Sequence, residues 1–406
     1  MKKILFCNTD LLVRVFDEMP EEITKENRKR FLELAETLCI DDKDSIVFIS
    51  KENKKLNRAR EVMENKGYKK FKYVTRSAAK EYIRAHMDKA TYFVFVGNRE
   101  IDFQTAVNIQ VLFICPTWVP VEEKAERYGV NVDTPEQFYK FIKTLNNHDT
   151  WYSQAKIDQY SQCISLMDAR TYAGSPGVGE KQMLIGFQNL LKNGTNRNYY
   201  RILLYHFLAN MTRTSLFDDI ELFGIMPSSN CNVNPDMFKF MEQVRYIKKK
   251  QLPRQLYQKE PIEQNLFLRH TVKPTMHSAS QYGRAKLGGI NEFKTLIINP
   301  EYKDKISRLK KSNSLNILVF DDYMNYGNGF NAVRCLLESV GANKIVFVSL
   351  GSFRQEFYFK DYQIQGDVFS PNGYTVKLVN QKIITDFEIY PQAKEEIDSL
   401  YDIFNT

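Results

Sequence analysis

ILVFDDYMNYGNGFNAVRCLLESVGANKIVFVS, residues 317–349, opens on an apolar run that stops at two aspartates, Asp321 and Asp322. A turn bearing Gly327 and Gly329 follows, then a helical pattern, then a second apolar run. An apolar run, a crossover helix and another apolar run make a parallel strand pair with a loop at its carboxyl end. Backbone N–H groups at such a turn, aimed by the following helix N-terminus, suit a phosphate. Two adjacent carboxylates at the strand end suit a vicinal diol.

Working outward, the same alternation recurs twice. Residues 1–147 carry the runs KKILFC, SIVFIS, KFKYVT, TYFVFVG and VLFICP, separated by amphipathic stretches such as KENRKRFLELAETL. That pattern predicts a parallel sheet with helices on both faces. The opening MKKILFCNTD reads as a first core strand, because Asn8, Thr9 and Asp10 end the apolar run too early for a signal peptide. TLNNHDTWYSQ reads as a linker, and 148–215 as a mostly helical extension. Residues 216–406 return to strands and helices, with a hairpin in YQIQGDVFSPNGYTVKLV turning at Asn372–Gly373 and a closing helix in PQAKEEIDSLYDIF. The fold expected is α/β: two Rossmann-like domains with parallel sheets, joined by the helical segment.

The totals fit this. The chain has 406 residues, 43% hydrophobic and 26% charged, with a formal net charge of +8. It carries no run of about 18 apolar residues, so no membrane partner is expected. The charge admits phosphates or nucleic acid without indicating the latter, and the basic runs YIKKK (246–250) and RLKK (308–311) read as solvated faces. Six cysteines and five histidines show no metal-ligand spacing, which points to a reduced, cytoplasmic protein without structural zinc. AGSPGVGEKQ (173–182) approaches a P-loop, but Glu180 separates Gly179 from Lys181 and Gln182 stands where a hydroxyl is required. SLMDARTY before it reads as helical or irregular, so the loop reads as a Gly/Pro connection between helices.

Two resemblances follow. The 317–349 stretch resembles the phosphoribosyltransferase signature, and FLRHTVKPTMHSASQYGRAKLGGINEF (267–293) resembles the hood of the competence-protein group of that family, through Arg269, Thr271, Gln281, Arg284 and Asn291. FGIMPSSN (223–230) stands where that family places a pyrophosphate loop. The resemblance implies phosphoribosyl pyrophosphate (PRPP) with Mg²⁺. Asp321 and Asp322 would hold the ribose and share in holding the ion, and Asn325, Tyr326, Gly327, Asn328 and Gly329 the 5′-phosphate. Ser228 and Ser229 would serve the pyrophosphate, with Arg269 and Arg284 as catalytic cations, and no metal site is expected from protein groups alone. Tyr326 and Gly329 stand where hydroxyl residues are usual, and Tyr326 could narrow the pocket or stack on a base. His270 and His277 read as hood or surface residues.

The first region resembles the haloacid dehalogenase (HAD) superfamily through Asn8 and Asp10, Ser50, Lys69 or Lys70, and Asn98 and Asp102. Asn8 replaces the aspartate nucleophile and Asn98 removes a carboxylate from the Mg²⁺ site. The resemblance thus implies a phosphatase scaffold whose chemistry is lost, left as a contact surface for a protein partner. The whole reads as a PRPP-dependent transferase, or the reverse pyrophosphorolysis. The alternative is a catalytically impaired PRPP or nucleotide sensor, of the kind that serves bacterial stress resistance or phage defence.

Overall fold

The computed structural model describes residues 2–12, 21–87, 91–145, 151–170, 198–273 and 289–405, with isolated positions between 179 and 185. The first unit runs β1 (Lys3–Asn8), α1 (Glu21–Asp41), β2 (Ser45–Ser50), α2 (Asn53–Asn65), β3 (Lys72–Thr75), α3 (Arg76–Ala85), β4 (Tyr92–Val96), α4 (Glu100–Asn108), β5 (Leu112–Pro116), α5 (Glu123–Tyr128), β6 (Val130–Val132) and α6 (Pro135–Thr144). Its six strands lie in the order β3-β2-β1-β4-β5-β6, all parallel. The order reverses between β1 and β4, which opens a crevice at their carboxyl ends. The five expected runs are five of these strands; β6 is an addition. Both faces of the sheet are covered: Leu5 and Cys7 of β1 join one apolar cluster, Ile4 and Phe6 the other. That two-sided burial is why these runs are continuously apolar.

The second unit comprises β7 (Ser153–Lys156), β8 (Ser161–Asp168), α7 (Asn198–Met211), β9 (Leu222–Ile225), α8 (Pro235–Ile247), β10 (Phe267–Arg269), β11 (Leu296–Ile298), α9 (Lys303–Lys311), β12 (Asn316–Met324), α10 (Asn328–Ser339), β13 (Lys344–Ser352), β14 (Phe357–Gly366), β15 (Tyr374–Ile384), β16 (Glu388–Ile389) and α11 (Gln392–Phe404). Its main sheet has the order β16-β7-β8-β13-β12-β9. Strands β8, β13, β12 and β9 are parallel, while β7 pairs antiparallel with β8 and β16 antiparallel with β7, so the sheet is mixed rather than wholly parallel.

Three expectations need correction here. The segment 148–215 opens in strand rather than helix: among its described residues, 153–168 supply two strands of the second sheet, and SLMD ends β8. Its serines and glutamine are weak strand formers, but β8 pairs along its length with β13, and Ser165 Oγ meets Ser349 Oγ at 2.6 Å inside the sheet. Tertiary pairing overrides propensity there. The linker expected over TLNNHDTWYSQ ends in core, because Trp151 is 2% exposed and packs on Phe207 and Phe217. The hairpin β14–β15 forms as expected but is longer, and its strands are joined by residues 367–373 rather than by a two-residue turn.

The two sheets share one apolar layer. A single cluster runs from Leu5, Phe31 and Phe138 through Tyr205, Phe207 and Leu400 to Phe320 and Val346. Phe404 of α11 packs edge-on against both Phe141 of α6 and Tyr205 of α7, with ring centroids 5.7 and 5.1 Å away. The far face of the second sheet buries Ile317, Val319 and Phe347 against α9 and α10, with Leu336 of α10 in the same cluster. No helix among the described residues is long and apolar enough to cross a membrane.

Candidate functional site

A cavity of about 480 Å³ opens at the carboxyl ends of β9 and β12. It is lined by Asp321, Asp322 and the loop Asn325–Gly329, by Ser228 and Ser229 after β9, and by Arg269, Lys273, Asn291 and Glu292. Three stretches far apart in sequence, all singled out above, thus converge on one cavity. Arg284, Gln281 and His277 lie outside the described residues.

Asp321 and Asp322 end the buried part of β12, and both are only half-buried where they meet the cavity. Asp322 N–H donates to Asp321 Oδ1 at 2.9 Å and Tyr323 N–H to Asp322 Oδ1 at 2.7 Å. Burial and then the Asp322 charge push the Asp321 carboxyl well above the ordinary aspartate range, with Lys273 opposing. The chain then turns through Gly327 at φ +73°, and a Cβ there would sit 2.2 Å from the Phe357 ring. Only glycine fits, on both counts. Gly327 also caps α10, whose first N–H groups sit at the loop. Lys360, buried behind the loop, reaches Asn328 Oδ1 at 3.4 Å, and burial lowers its ammonium. Tyr326 does not offer a free face to a base. It is 5% exposed, edge-on to Tyr358 at 4.9 Å, and under the Arg354 guanidinium.

Arg269 departs from expectation more sharply. It is buried, and Nε donates to Ser228 O at 2.9 Å, Nη2 to Pro227 O at 3.2 Å and to Glu292 at 2.7 Å, and Nη1 to Thr295 Oγ1. Four of its five donors are spent on the protein. It fastens the 227–229 loop rather than presenting charge to a ligand. Ser228 is exposed and spends its hydroxyl within its own loop, its Oγ 2.5 Å from Asn230 Oδ1 and 2.6 Å from Asn232 O. The more exposed cation at the cavity is Lys273, which the sequence reading passed over. Its Nζ contacts Glu292 at 2.6 Å and its N–H donates to Ser229 O at 2.8 Å. Burial alone would raise Glu292, but Lys273 and Arg269 outweigh it and hold the carboxyl below its ordinary range.

In the first unit, Asn8, Asp10 and Asp102 do meet at the crevice between β1 and β4. Asn8 Nδ2 donates to Asp102 Oδ2 at 2.5 Å, and Asp10 N–H to Asn8 Oδ1 at 3.0 Å. Arg76 closes on Asp102 at 2.5 Å and Arg99 on Asp10 at 2.6 Å. Burial pushes the Asp102 carboxyl up while Arg76 and Asn8 pull it back. Asn98 turns away and donates to Pro120 O at 2.8 Å, and Ser50 Oγ accepts from Glu52 N–H at 3.2 Å. Lys69 and Lys70 are exposed before the start of β3, at the opposite end of the strand from the crevice. The cation that reaches Asp102 is Arg76, the first residue after β3; only its place after a strand could have signalled it.

Elsewhere, Gly179 of the P-loop-like stretch donates its N–H to Asp398 of α11 at 2.7 Å, and a strand, β8, does precede the stretch; most of it lies outside the described residues. One trio of potential metal ligands stands together among the described residues: Cys335, Glu338 and Asp361. Arg334 already occupies it, Nη1 2.9 Å from Glu338 and Nη2 3.4 Å from Asp361. Burial pushes the Cys335 thiol up to about 12. A divalent cation there would have to displace a guanidinium. In comparisons with known proteins, no family model, curated protein or solved structure matches this chain.

Proposed function

We propose that the cavity between β9 and β12 binds PRPP and serves phosphoribosyl transfer, in either direction. The observation that carries this is the convergence of the Asp321–Asp322 pair, the Gly327 turn into α10 and the Ser228–Ser229 loop on one cavity. The aspartates would accept from the ribose hydroxyls, the first N–H groups of α10 would hold the 5′-phosphate, and Lys273 would face the pyrophosphate. Arg269 acts as a positioning residue for the loop that receives it. The paired carboxylates also fit Mg²⁺, a hard cation that takes oxygen ligands and would neutralise developing pyrophosphate charge. With the sugar held this way, displacement at C1 by a nitrogen nucleophile draws on positioning and fixed charge.

A second reading rests on Arg269. With that guanidinium withdrawn, the described cavity walls offer pyrophosphate only Lys273, which fits a nucleotide sensor that binds without turnover. The first unit is read as a phosphatase scaffold without its nucleophile, supported by the Asn8 amide and the Arg76 guanidinium that close on Asp102.

Titration calorimetry with PRPP, with and without Mg²⁺, tests the pocket. Mg²⁺-dependent heat that disappears in Asp321→Asn is the expected result. Binding indifferent to that substitution, or absent throughout, would remove the reading. Release of pyrophosphate in the presence of acceptor bases then separates transferase from sensor.

A further inference from the structure

A second cavity, of about 600 Å³, lies where the two units meet. Its walls come from Phe103 of α4 and Tyr128 of α5 in the first unit, and from Arg245 and Tyr246 of α8, Lys249 and Tyr257 in the second. The sequence YIKKK, expected as a solvated basic face, therefore builds one side of it.

Its chemistry is two-part. Tyr128 and Tyr246 stack across the interface with centroids 4.1 Å apart and planes 5° from parallel, and Phe103 stands near-parallel beside them. Tyr246 remains 37% exposed and Tyr257 50%. Next to these rings the positive charge is under-compensated. Lys249 Nζ has a neutral partner, Asn108 Oδ1 at 2.6 Å. Arg245 is 8% exposed; its Nη1 donates to Lys250 O at 3.0 Å, and its Nε has no partner among the described residues. Its Nη2 lies 3.8 Å from Glu242, which Arg127 also approaches at 3.5 Å. Burial brings the ammonium of neighbouring Lys305 down to about 8; Glu221 opposes this, and Arg245, Lys250 and Arg308 add to it.

The backbone adds an independent mark. Lys249 follows α8 in the left-handed region at φ +58°, where helices usually place glycine. A side chain there costs about 1 kcal/mol or more, and such outliers gather at sites of function. Here the conformation carries the ammonium across the interface to α4.

We propose that this interdomain cavity binds a nucleoside monophosphate, with the base against Tyr246 and Tyr257 and the phosphate against Lys249 and Arg245. Inorganic phosphate would leave the rings uncovered, and an uncharged aromatic would leave the cations unanswered. The volume falls within the range, roughly 300–1,000 Å³, of pockets for small ligands and cofactors. The site is separate from the cavity between β9 and β12 and does not depend on how that one is read.

The test is titration calorimetry of the full chain with 5′-AMP, GMP, CMP and UMP, using the wild type, Asp321→Asn, Lys249→Gly and Tyr257→Ala. Lys249→Gly suits the left-handed backbone, so its melting temperature should be unchanged or higher while the ammonium is lost. At least one nucleotide should bind Asp321→Asn, in which binding at the cavity between β9 and β12 is removed, and adding Lys249→Gly or Tyr257→Ala in that background should weaken it about tenfold or more, as expected for losing a phosphate contact or a base stack. No binding of any of the four at millimolar concentration overturns the proposal. So does binding lost in Asp321→Asn but intact in the other two variants. A short single-stranded oligonucleotide that outcompetes all four at physiological salt would also overturn it, in favour of a nucleic-acid strand.

Discussion

Glu292 holds two cations at once, the buried Arg269 and the half-exposed Lys273, and through Arg269 it holds the 227–229 loop. Removing its charge leaves a guanidinium buried without its carboxylate. Glu292→Gln should therefore cost about 3–5 kcal/mol at neutral pH, read from denaturant midpoints. The sign of the pH dependence follows from the lowered carboxyl: a depressed acid contributes stability above its unfolded value and loses it as pH falls through the folded one. The gap between wild type and variant should thus be full near neutrality and close below about pH 4. A constant gap down to strongly acidic pH would mean that the side chain matters for packing rather than for charge. The reciprocal case is Asn8. Its amide donates to Asp102 at 2.5 Å, so Asn8→Asp sets two carboxylates against each other, with Arg76 alone to offset them. Thermal unfolding should show a loss of about 2 kcal/mol or more that lessens on acidification; an unchanged melting temperature would show that the crevice already admits a cation. Asp321, Asp322, Asn8 and Asp102 were legible because they end or follow apolar runs. Lys273, Arg76 and Arg99 were not. Each works through a partner distant in sequence, and one sequence carries no mark of which lysine or arginine in a loop will find a carboxylate.

At the scale of elements, the Gly327 turn was readable because glycine after a strand and before a helix has few other uses. The structure adds a second constraint, the Phe357 ring that fills the place of a Cβ. Gly327→Ala should lose about 1–2 kcal/mol to the left-handed backbone and a comparable amount, about 1–3 kcal/mol, to overpacking. It should also displace the N-terminus of α10 and, on the proposed reading of the cavity, abolish PRPP binding; a variant with wild-type stability would mean that the turn can relax at no cost. Helix α8 gives a milder case. Asn234 accepts from Asp236 and Met237 N–H at 3.0 and 3.3 Å, and both Asn234 and Met237 line the cavity. Asn234→Ala should cost about 1 kcal/mol and fray the end of α8 nearest the cavity, visible as faster amide exchange there. Strand β8 failed to show in the sequence for the opposite reason. Its residues read as helical or irregular in isolation, and only β7 and β13 on either side make Ser161–Asp168 a central strand.

For the whole molecule, alternating runs correctly give two sheets, but they understate how closely those sheets are joined. Polarity between residues 144 and 154 suggested a linker, yet Trp151 and Tyr152 go straight into the core. The C-terminal helix then returns to the first unit: α11 puts Phe404 on Phe141, while Tyr205 of α7 accepts the Asn131 N–H at 2.9 Å and Tyr92 donates to Ala209 O at 2.8 Å. Interdomain surfaces in most proteins are more polar and leave relative motion as the default. Here an apolar layer is shared, so unfolding one unit would expose the other's core. Calorimetry should accordingly give one transition whose van't Hoff and calorimetric enthalpies agree. Phe404→Ala should cost about 3 kcal/mol and lower that single transition as a whole, because the ring serves both units. Two resolved transitions, with only the second-unit one moved by Phe404→Ala, would instead make the shared layer a contact between independently stable domains. In that event a ligand between them could act by changing how they dock, not by stabilising a common fold.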